Sequence, residues 1–163
     1  MSEPRIVGIA GSLREISYTR MGIERALDGA RRAGGGAELL DLREYDLPTY
    51  DADRGSAGDA EAFTARVREA DAVLLGTPMY HGSYSSTLKT ALDYCGFEEF
   101  EDKTVGLLAV AGGGFPVTAL EHLRSVCRAL NAWTIPHQVA VPRAHSQFED
   151  GAVVEESLDE RVL

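Results

Sequence analysis

The chain has 163 residues, of which 44% are hydrophobic, and its 26 acidic against 16 basic side chains give a net charge of −10. This length and apolar content suit one globular domain over residues 1–163, and the acidic balance argues against a nucleic-acid partner, because binding to a phosphate backbone needs a basic face. Two cysteines far apart in the chain argue against a disulfide framework or a multi-cysteine metal site, and without a membrane-length apolar run or a signal-peptide core we expect a cytoplasmic protein with no membrane partner.

Short apolar segments alternate with amphipathic helical patterns along the whole chain. The predicted order is a strand at 6–10, a helix that stops at the glycines 34–36, a strand at 37–42, a helix from about 59, a strand at 72–76, a helix around 88–95, a strand at 105–111, a helix around 120–130, a strand at 137–141 and a helical tail from 155. This alternation predicts an α/β protein with a parallel sheet and helices on both faces. Ligands of such sheets bind outside the carboxyl ends of the strands, so the loops that follow the first, third and fourth strands should meet at one edge.

The first of these loops predicts a phosphate site. Gly11 ends the first strand, and hydroxyls with one guanidinium follow at Ser12, Arg14, Ser17 and Thr19. The loop is not a dinucleotide fingerprint, because residue 13 is leucine where G-x-G-x-x-G needs glycine, and no P-loop pattern occurs in the chain. Small hydroxyls, an arginine and a helix N-terminus suit a phosphate monoester.

The other two loops predict a site for a planar ring. In the loop 77–83, Pro78 stiffens the backbone, Gly82 permits a positive φ, and Ser83 is expected to cap the next helix. Tyr80 and His81 offer flat faces, and the glycines 112–114 allow a second backbone segment to approach the same ring. One loop for a phosphate and two for an aromatic heterocycle predict a flavin mononucleotide (FMN) site.

With these three loops, the chain resembles the NADPH-dependent FMN reductases over residues 6 to about 142. The resemblance depends on several motifs taken together: Gly11-Ser12-Leu13-Arg14 with Ser17, Asp41-Leu42-Arg43 followed by Leu47-Pro48 and Tyr50-Asp51, Thr77-Pro78-x-Tyr80-x-Gly82-Ser83 with Leu88-Lys89 and Leu92-Asp93, and the glycines 112–114. It implies a flavodoxin-like three-layer sandwich with a five-stranded parallel sheet of order 2-1-3-4-5.

The resemblance also implies the cofactor-binding residues. Ser12, Arg14, Ser17, Tyr18 and Thr19 fall where the family binds the FMN phosphate; Pro78, Met79, Tyr80, His81, Gly82 and Ser83 fall on the loop that holds the ring and ribityl chain; Gly112, Gly113 and Gly114 fall near the pyrimidine end of the ring. Three residues depart from the family pattern, since Thr19, Met79 and His81 stand where Asn, Glu and Asn are usual. Backbone N–H groups are expected to make most of the ring contacts. We assign no role to His122, His137 or His145, and no metal site.

The implied function is an FMN-dependent NAD(P)H oxidoreductase with ping-pong kinetics. The flavin carries the chemistry, no protein side chain is expected to be catalytic, and the acceptor is a quinone, free flavin, an azo compound or a metal ion. The residues leave NADPH and NADH open as reductants, and a homodimer or homotetramer is expected. Two alternatives stay open, a non-enzymatic flavodoxin-like electron carrier and a flavin-binding sensor. Lys89 and Asp93 form either a helix-surface pair or part of a subunit contact.

Overall fold

A computed structural model describes residues 3–163, and its centre is a five-stranded parallel sheet. The strands are β1 (Arg5–Ala10), β2 (Gly36–Asp41), β3 (Ala72–Pro78), β4 (Thr104–Val110) and β5 (Trp133–Val141), in the order β2-β1-β3-β4-β5. This confirms the predicted flavodoxin-like order. A long crossover before each parallel strand brings every carboxyl end to the same edge of the sheet.

Within residues 3–163, six α-helices and a small hairpin accompany the sheet. They are α1 (Tyr18–Arg32), α2 (Ala60–Arg68), α3 (Ser86–Asp93), α4 (Phe97–Phe100), α5 (Val117–Ala129) and α6 (Glu156–Val162), with the hairpin strands β6 (Phe148–Glu149) and β7 (Ala152–Val153). No helix within residues 3–163 is long and apolar enough to cross a membrane.

Helix α1 begins and ends where its sequence indicates. The Ser17 hydroxyl accepts a hydrogen bond from the N–H of Arg20 and so caps the N-terminus. Ile23 and Leu27 lie on the buried face one turn apart. After the last turn the chain reverses at Gly34, whose φ of 88° suits glycine. The amino end of this long helix therefore lies directly after the loop that follows β1.

The core has two layers, one on each face of the sheet. On one face, α2, α3 and α5 bury residues such as Phe63, Leu88 and Leu120. On the other face, α1 and α6 bury Ile23 and Leu158 among others. The two layers and the sheet between them form the predicted three-layer sandwich.

Three elements differ from the sequence-based expectation. Strand β5 begins at Trp133 rather than at 137, because its register against β4 shifts between Thr134 and Gln138 and leaves Pro136, which has no N–H, without a partner in the ladder. Helix α4 is a single turn, too short to leave a periodic pattern. The hairpin β6–β7 was not predicted, although its turn at Asp150-Gly151, with φ values of 49° and 83°, has the Asp-Gly pair typical of a two-residue hairpin loop.

Candidate functional site

The start of the loop after β1 is fixed against β3 and α3. The N–H of Gly11 donates to the Gly76 carbonyl at 2.9 Å. A Cβ added at Gly11 would lie 2.7 Å from the Cβ of Leu88, so only glycine permits this approach to α3. Because the loop cannot move away from α3, the hydroxyls that follow Gly11 have a fixed position.

Ser85 joins the loop after β1 to the loop after β3 through three hydrogen bonds. Its hydroxyl donates to the Gly11 carbonyl at 2.6 Å and accepts from the N–H of Leu88 at 3.1 Å, which caps α3. Its own N–H donates to the Thr77 hydroxyl at 2.9 Å. Ser85 is buried. It is a structural residue of the site that the sequence analysis did not identify, although a serine before a helical pattern is a recognised signal.

The expectation that Ser83 caps this helix was wrong, because Ser83 belongs to a tight turn. Tyr80 and Ser83 exchange two backbone hydrogen bonds, of 3.0 and 3.2 Å. His81 and Gly82 between them have φ values of 51° and 81°, which is a two-residue turn of the type I′ kind. The Ser83 hydroxyl instead lies 2.9 Å from Nδ1 of His122. The positive φ expected at Gly82 is present.

This turn also limits the backbone donors that the loop can offer to a ligand. The N–H of Met79 donates to the Val110 carbonyl at 2.7 Å, and those of Tyr80 and Ser83 are used in the turn. Within residues 3–163, the N–H groups of His81 and Gly82 have no such acceptor. Among the N–H groups of residues 79–83 in the described structure, these two therefore remain available to a ligand.

The glycines 112–114 form an open segment. A Cβ added at any of the three would meet no atom within 4 Å, and none of them has a positive φ. Neither crowding nor backbone strain within the protein requires glycine here, so the open space suits the close approach of a ligand. The segment is held from outside, because the Gly113 carbonyl accepts a hydrogen bond from the N–H of Arg143 at 2.8 Å.

A cavity of about 280 Å³ opens where these loops meet. Its wall contains most of the predicted cofactor-binding residues, namely Ser12, Arg14, Ser17, Tyr18, Thr19, Pro78, Met79, Tyr80 and Gly112. The other predicted residues, His81, Gly82, Ser83, Gly113 and Gly114, lie on the adjoining loops outside the wall. Ile16, Val110, Ala144 and His145 also line the cavity. The sequence analysis had assigned no role to His145.

The electrostatics of this cavity suit an anion. No carboxylate lines it, in a chain that carries 26 acidic residues, whereas Arg14 and His145 do. The first turn of α1 contains no acidic residue, so the positive end of that helix is not neutralised. Ser12, Ser17 and Thr19 are buried, with hydroxyls that can donate to a phosphate. Within residues 3–163, the cavity wall therefore combines positive charge with hydroxyl donors, which suits an anionic ligand.

Tyr18 has a structural partner as well as a place in the cavity wall. Its ring stacks on Phe148 of the hairpin, with ring centroids 5.3 Å apart and planes 18° apart. Phe148 is buried. This stacking ties the β6–β7 hairpin to the first residue of α1 and fixes the orientation of the tyrosine.

Asp41 supports the first loop from the end of β2. Its carboxylate accepts hydrogen bonds from the Arg43 side chain, the shortest at 2.6 Å, and lies 3.5 Å from Nη1 of Arg20. Arg20 in turn donates to the Glu15 carbonyl at 2.6 Å. Burial alone would raise the pKa of Asp41, but the hydrogen bonds and charge of Arg43, with the charge of Arg20, outweigh it and the pKa is lowered. The Asp-Leu-Arg motif is therefore structural, and it reaches the phosphate loop through Arg20.

The sheet order and an anion cavity at the carboxyl ends of β1, β3 and β4 define a flavodoxin-like, FMN-binding type of protein. The profile of the NADPH-dependent FMN reductase family matches residues 4–146. The chain belongs to this family. The family is one of NADPH-dependent FMN reductases, which is the enzyme class that the resemblance implied.

Several azoreductases are similar in sequence. The chain is 36% identical over 157 residues to the NADPH azoreductase of Bacillus sp. (strain OY1-2), covering 94% of this chain and 84% of that protein. It is 37% identical over 109 residues to the FMN-dependent NADPH-azoreductase of Staphylococcus saprophyticus, covering 63% of this chain but only 58% of that protein.

A solved structure with the same fold is the flavoenzyme NAD(P)H:(acceptor) oxidoreductase of Paracoccus denitrificans. The two superpose with a TM-score of 0.76 over 98% of this chain and 93% of that one, at 23% sequence identity. The likeness confirms the fold.

Proposed function

We propose that residues 1–163 act as a single FMN-binding domain of a cytoplasmic enzyme that passes electrons from NADPH or NADH to a small acceptor. The observation that carries this proposal is the cavity wall, where buried hydroxyls, Arg14 and the amino end of α1 face one volume that no carboxylate lines. When bound, FMN supplies the redox chemistry by accepting hydride from the nicotinamide and reducing the acceptor.

The chain's own residues bind and orient. Ser12, Ser17 and Thr19 donate hydroxyl hydrogen bonds to the phosphate, and Arg14 adds a charge-assisted contact. The N–H groups of His81 and Gly82, together with the open glycines 112–114, bring backbone donors to the ring. The hydride transfer from the nicotinamide to FMN requires no protein side chain as a general acid or base.

The phosphate assignment is tested by Arg14→Ala. Losing a charge-assisted hydrogen bond of about 1.5–3 kcal/mol should weaken FMN binding by about 10- to 150-fold. Riboflavin, which lacks the phosphate, should bind the variant as it binds the wild type. Arg54, an exposed arginine whose side chain is 81% exposed, provides the matched control Arg54→Ala. Equal FMN affinity of Arg14→Ala and wild type, measured by quenching of flavin fluorescence, would exclude this contact.

Anaerobic reduction separates an enzyme from a carrier or a sensor. Addition of NADPH to the FMN-loaded protein should bleach the flavin absorption band rapidly, and the same experiment with NADH gives the preference between the two reductants. An electron carrier or a sensor would keep its absorption band with both reductants.

Azo compounds are the acceptors that the similar azoreductases favour for this chain, ahead of quinones, free flavin and metal ions. Initial rates at varied NADPH and azo dye should give parallel double-reciprocal lines, the pattern of a ping-pong reaction. Intersecting lines would indicate a ternary complex and contradict the proposed alternation of reductant and acceptor.

We propose a homodimer or homotetramer as the working form. Large apolar side chains lie exposed on the loops around the cavity, including Leu13 at 61%, Ile16 at 66% and Phe115 at 85%. Such a group of apolar side chains supports a contact with a second copy of the chain. Light scattering at micromolar concentration tests this, and a monomer mass would refute it.

The two cysteines are free and buried, which suits a reducing cytoplasm.

A further inference from the structure

We propose that His145 is a further ligand of the FMN phosphate, so that the segment after β5 completes the phosphate pocket. The inference rests on the proposed FMN function and adds a residue that neither the family motifs nor the sequence pattern indicate. Its starting point is position, since His145 lines the same cavity as Ser12, Arg14, Ser17 and Thr19.

The backbone around His145 is held beside the cavity, and the residue itself is exposed and so accessible to a ligand. Arg143 adopts the left-handed conformation, with φ 47° and ψ 50°, which is unusual for a residue other than glycine. Its N–H donates to the Gly113 carbonyl at 2.8 Å, and the N–H of the buried Ala144 donates to the Ala111 carbonyl at 3.0 Å. These bonds fix the turn at 143–146 to the glycine segment after β4, and strained backbone of this kind persists where surrounding contacts determine it.

The imidazole of His145 is chemically available for an anion. Two other histidines use a ring nitrogen within the protein, His122 with the Ser83 hydroxyl at 2.9 Å and His137 with the Arg161 carbonyl at 2.8 Å. The described residues 3–163 offer the ring of His145 no such partner. An imidazole carries at least one N–H in either protonation state, so it can donate to a phosphate oxygen.

The charges around the cavity favour a phosphate over other occupants of this position. The ionisable side chains that share the wall with His145 are Arg14, Tyr18 and Tyr80, and no Asp or Glu of the described residues lines it. Arg14 approaches from the loop after β1 and His145 from the segment after β5. A phosphate between them would be held from two loops that are far apart in the sequence.

The test compares FMN with riboflavin, because only FMN has the phosphate. Apoprotein of the wild type and of His145→Ala is titrated with each flavin, and the dissociation constants come from fluorescence quenching. Loss of the contact should raise the FMN dissociation constant about tenfold or more and leave the riboflavin constant within about twofold. His145→Gln, whose amide N–H can still donate, should recover part of the FMN affinity. Equal weakening of both flavins, or no weakening of FMN, would overturn the assignment.

Two control variants separate a direct contact from other causes. His137→Ala removes a histidine outside the cavity and should bind both flavins as the wild type does. Arg143→Asn removes a neighbouring charge with a residue that tolerates the left-handed backbone and so leaves His145 in position. An effect on FMN as large as that of His145→Ala would mean that general positive charge, rather than His145, holds the phosphate. If the wild type itself fails to bind FMN, the proposed function falls as well; if the wild type binds FMN and His145→Ala binds it equally, only this inference falls.

Discussion

Ser85 lies outside the cavity wall, and removal of its hydroxyl tests whether its hydrogen bonds hold the loop after β1 against α3. It donates to the Gly11 carbonyl and accepts from the N–H of Leu88, and the residue is buried. Ser85→Ala therefore leaves a carbonyl on the phosphate loop and an N–H at the start of α3 without a partner. The Thr77 contact to the Ser85 backbone N–H is unaffected by the substitution.

The expected cost follows from these two losses. Removal of a helix cap costs about 1 kcal/mol, and a buried carbonyl without a partner costs about 1–3 kcal/mol. The free energy of unfolding should fall by about 2–4 kcal/mol in total. For a chain of this size each kcal/mol lowers the melting temperature by about 2–4 °C, so Ser85→Ala should melt about 5–15 °C lower.

Urea unfolding of the apoprotein measures the stability change, and FMN titration of the same variant measures its effect on the site. Because the Gly11 carbonyl lies directly before the phosphate-binding hydroxyls, FMN should also bind more weakly. Ser86→Ala is the matched control, since Ser86 is the exposed first residue of α3, and it should change stability by less than about 0.5 kcal/mol. If Ser85→Ala were as stable as this control, Ser85 would not be what holds the two loops together.

Three further outcomes are expected. Asp41→Asn should lower the free energy of unfolding by about 1–3 kcal/mol at neutral pH. Because the folded-state pKa of Asp41 lies below its ordinary value of 3.8, this stability difference should persist above that pH and shrink as the pH falls through the lowered pKa. A stability difference that does not change in acid would contradict the ion pairs of Asp41. Burial raises the pKa of the Cys95 and Cys127 thiols, so a thiol reagent at mildly alkaline pH should react with neither in the native protein and with both after denaturation; rapid native reaction would refute their burial. His81→Val should destabilise the protein by about 1–3 kcal/mol in thermal unfolding, whereas His81→Asn should not, because the left-handed φ of 51° suits Asn and penalises a β-branched residue; equal melting of the two variants would refute the turn.

The sheet and the position of the loop after β1 could be predicted because their signals are local. Strands buried on both faces are continuous apolar runs, and alternation with amphipathic helices leaves few topologies. Ser17 and Gly34 mark the two ends of α1 through capping chemistry that does not depend on the rest of the fold. The hydroxyls after Gly11 could then be placed at a helix N-terminus from the sequence alone.

The parts that were missed depend on contacts between distant segments. Ser83 and Ser85 have the same capping chemistry, and the choice between them is made by the turn that uses the backbone of Ser83. His145 follows a strand without any periodic pattern, and it reaches the cavity only because Arg143 bonds to Gly113, thirty positions earlier. Neither relation is visible in the spacing of residues along the chain.

The two departures from the family pattern beside the ring have a common structural reason. His81 occupies a left-handed position that Asn, Asp and His tolerate, so the turn is kept while the side chain changes. Met79 meets the backbone requirement of its position through its N–H to Val110, and its sulfur lies 3.4 Å from the Thr118 hydroxyl. Because backbone bonds hold this loop in shape, residue 81 can change among residues that accept a left-handed φ, and residue 79 can change among side chains that still pack against the core. If FMN binds as proposed, such changes should alter which acceptor fits over the ring and leave the proposed phosphate contacts of the loop after β1 in place.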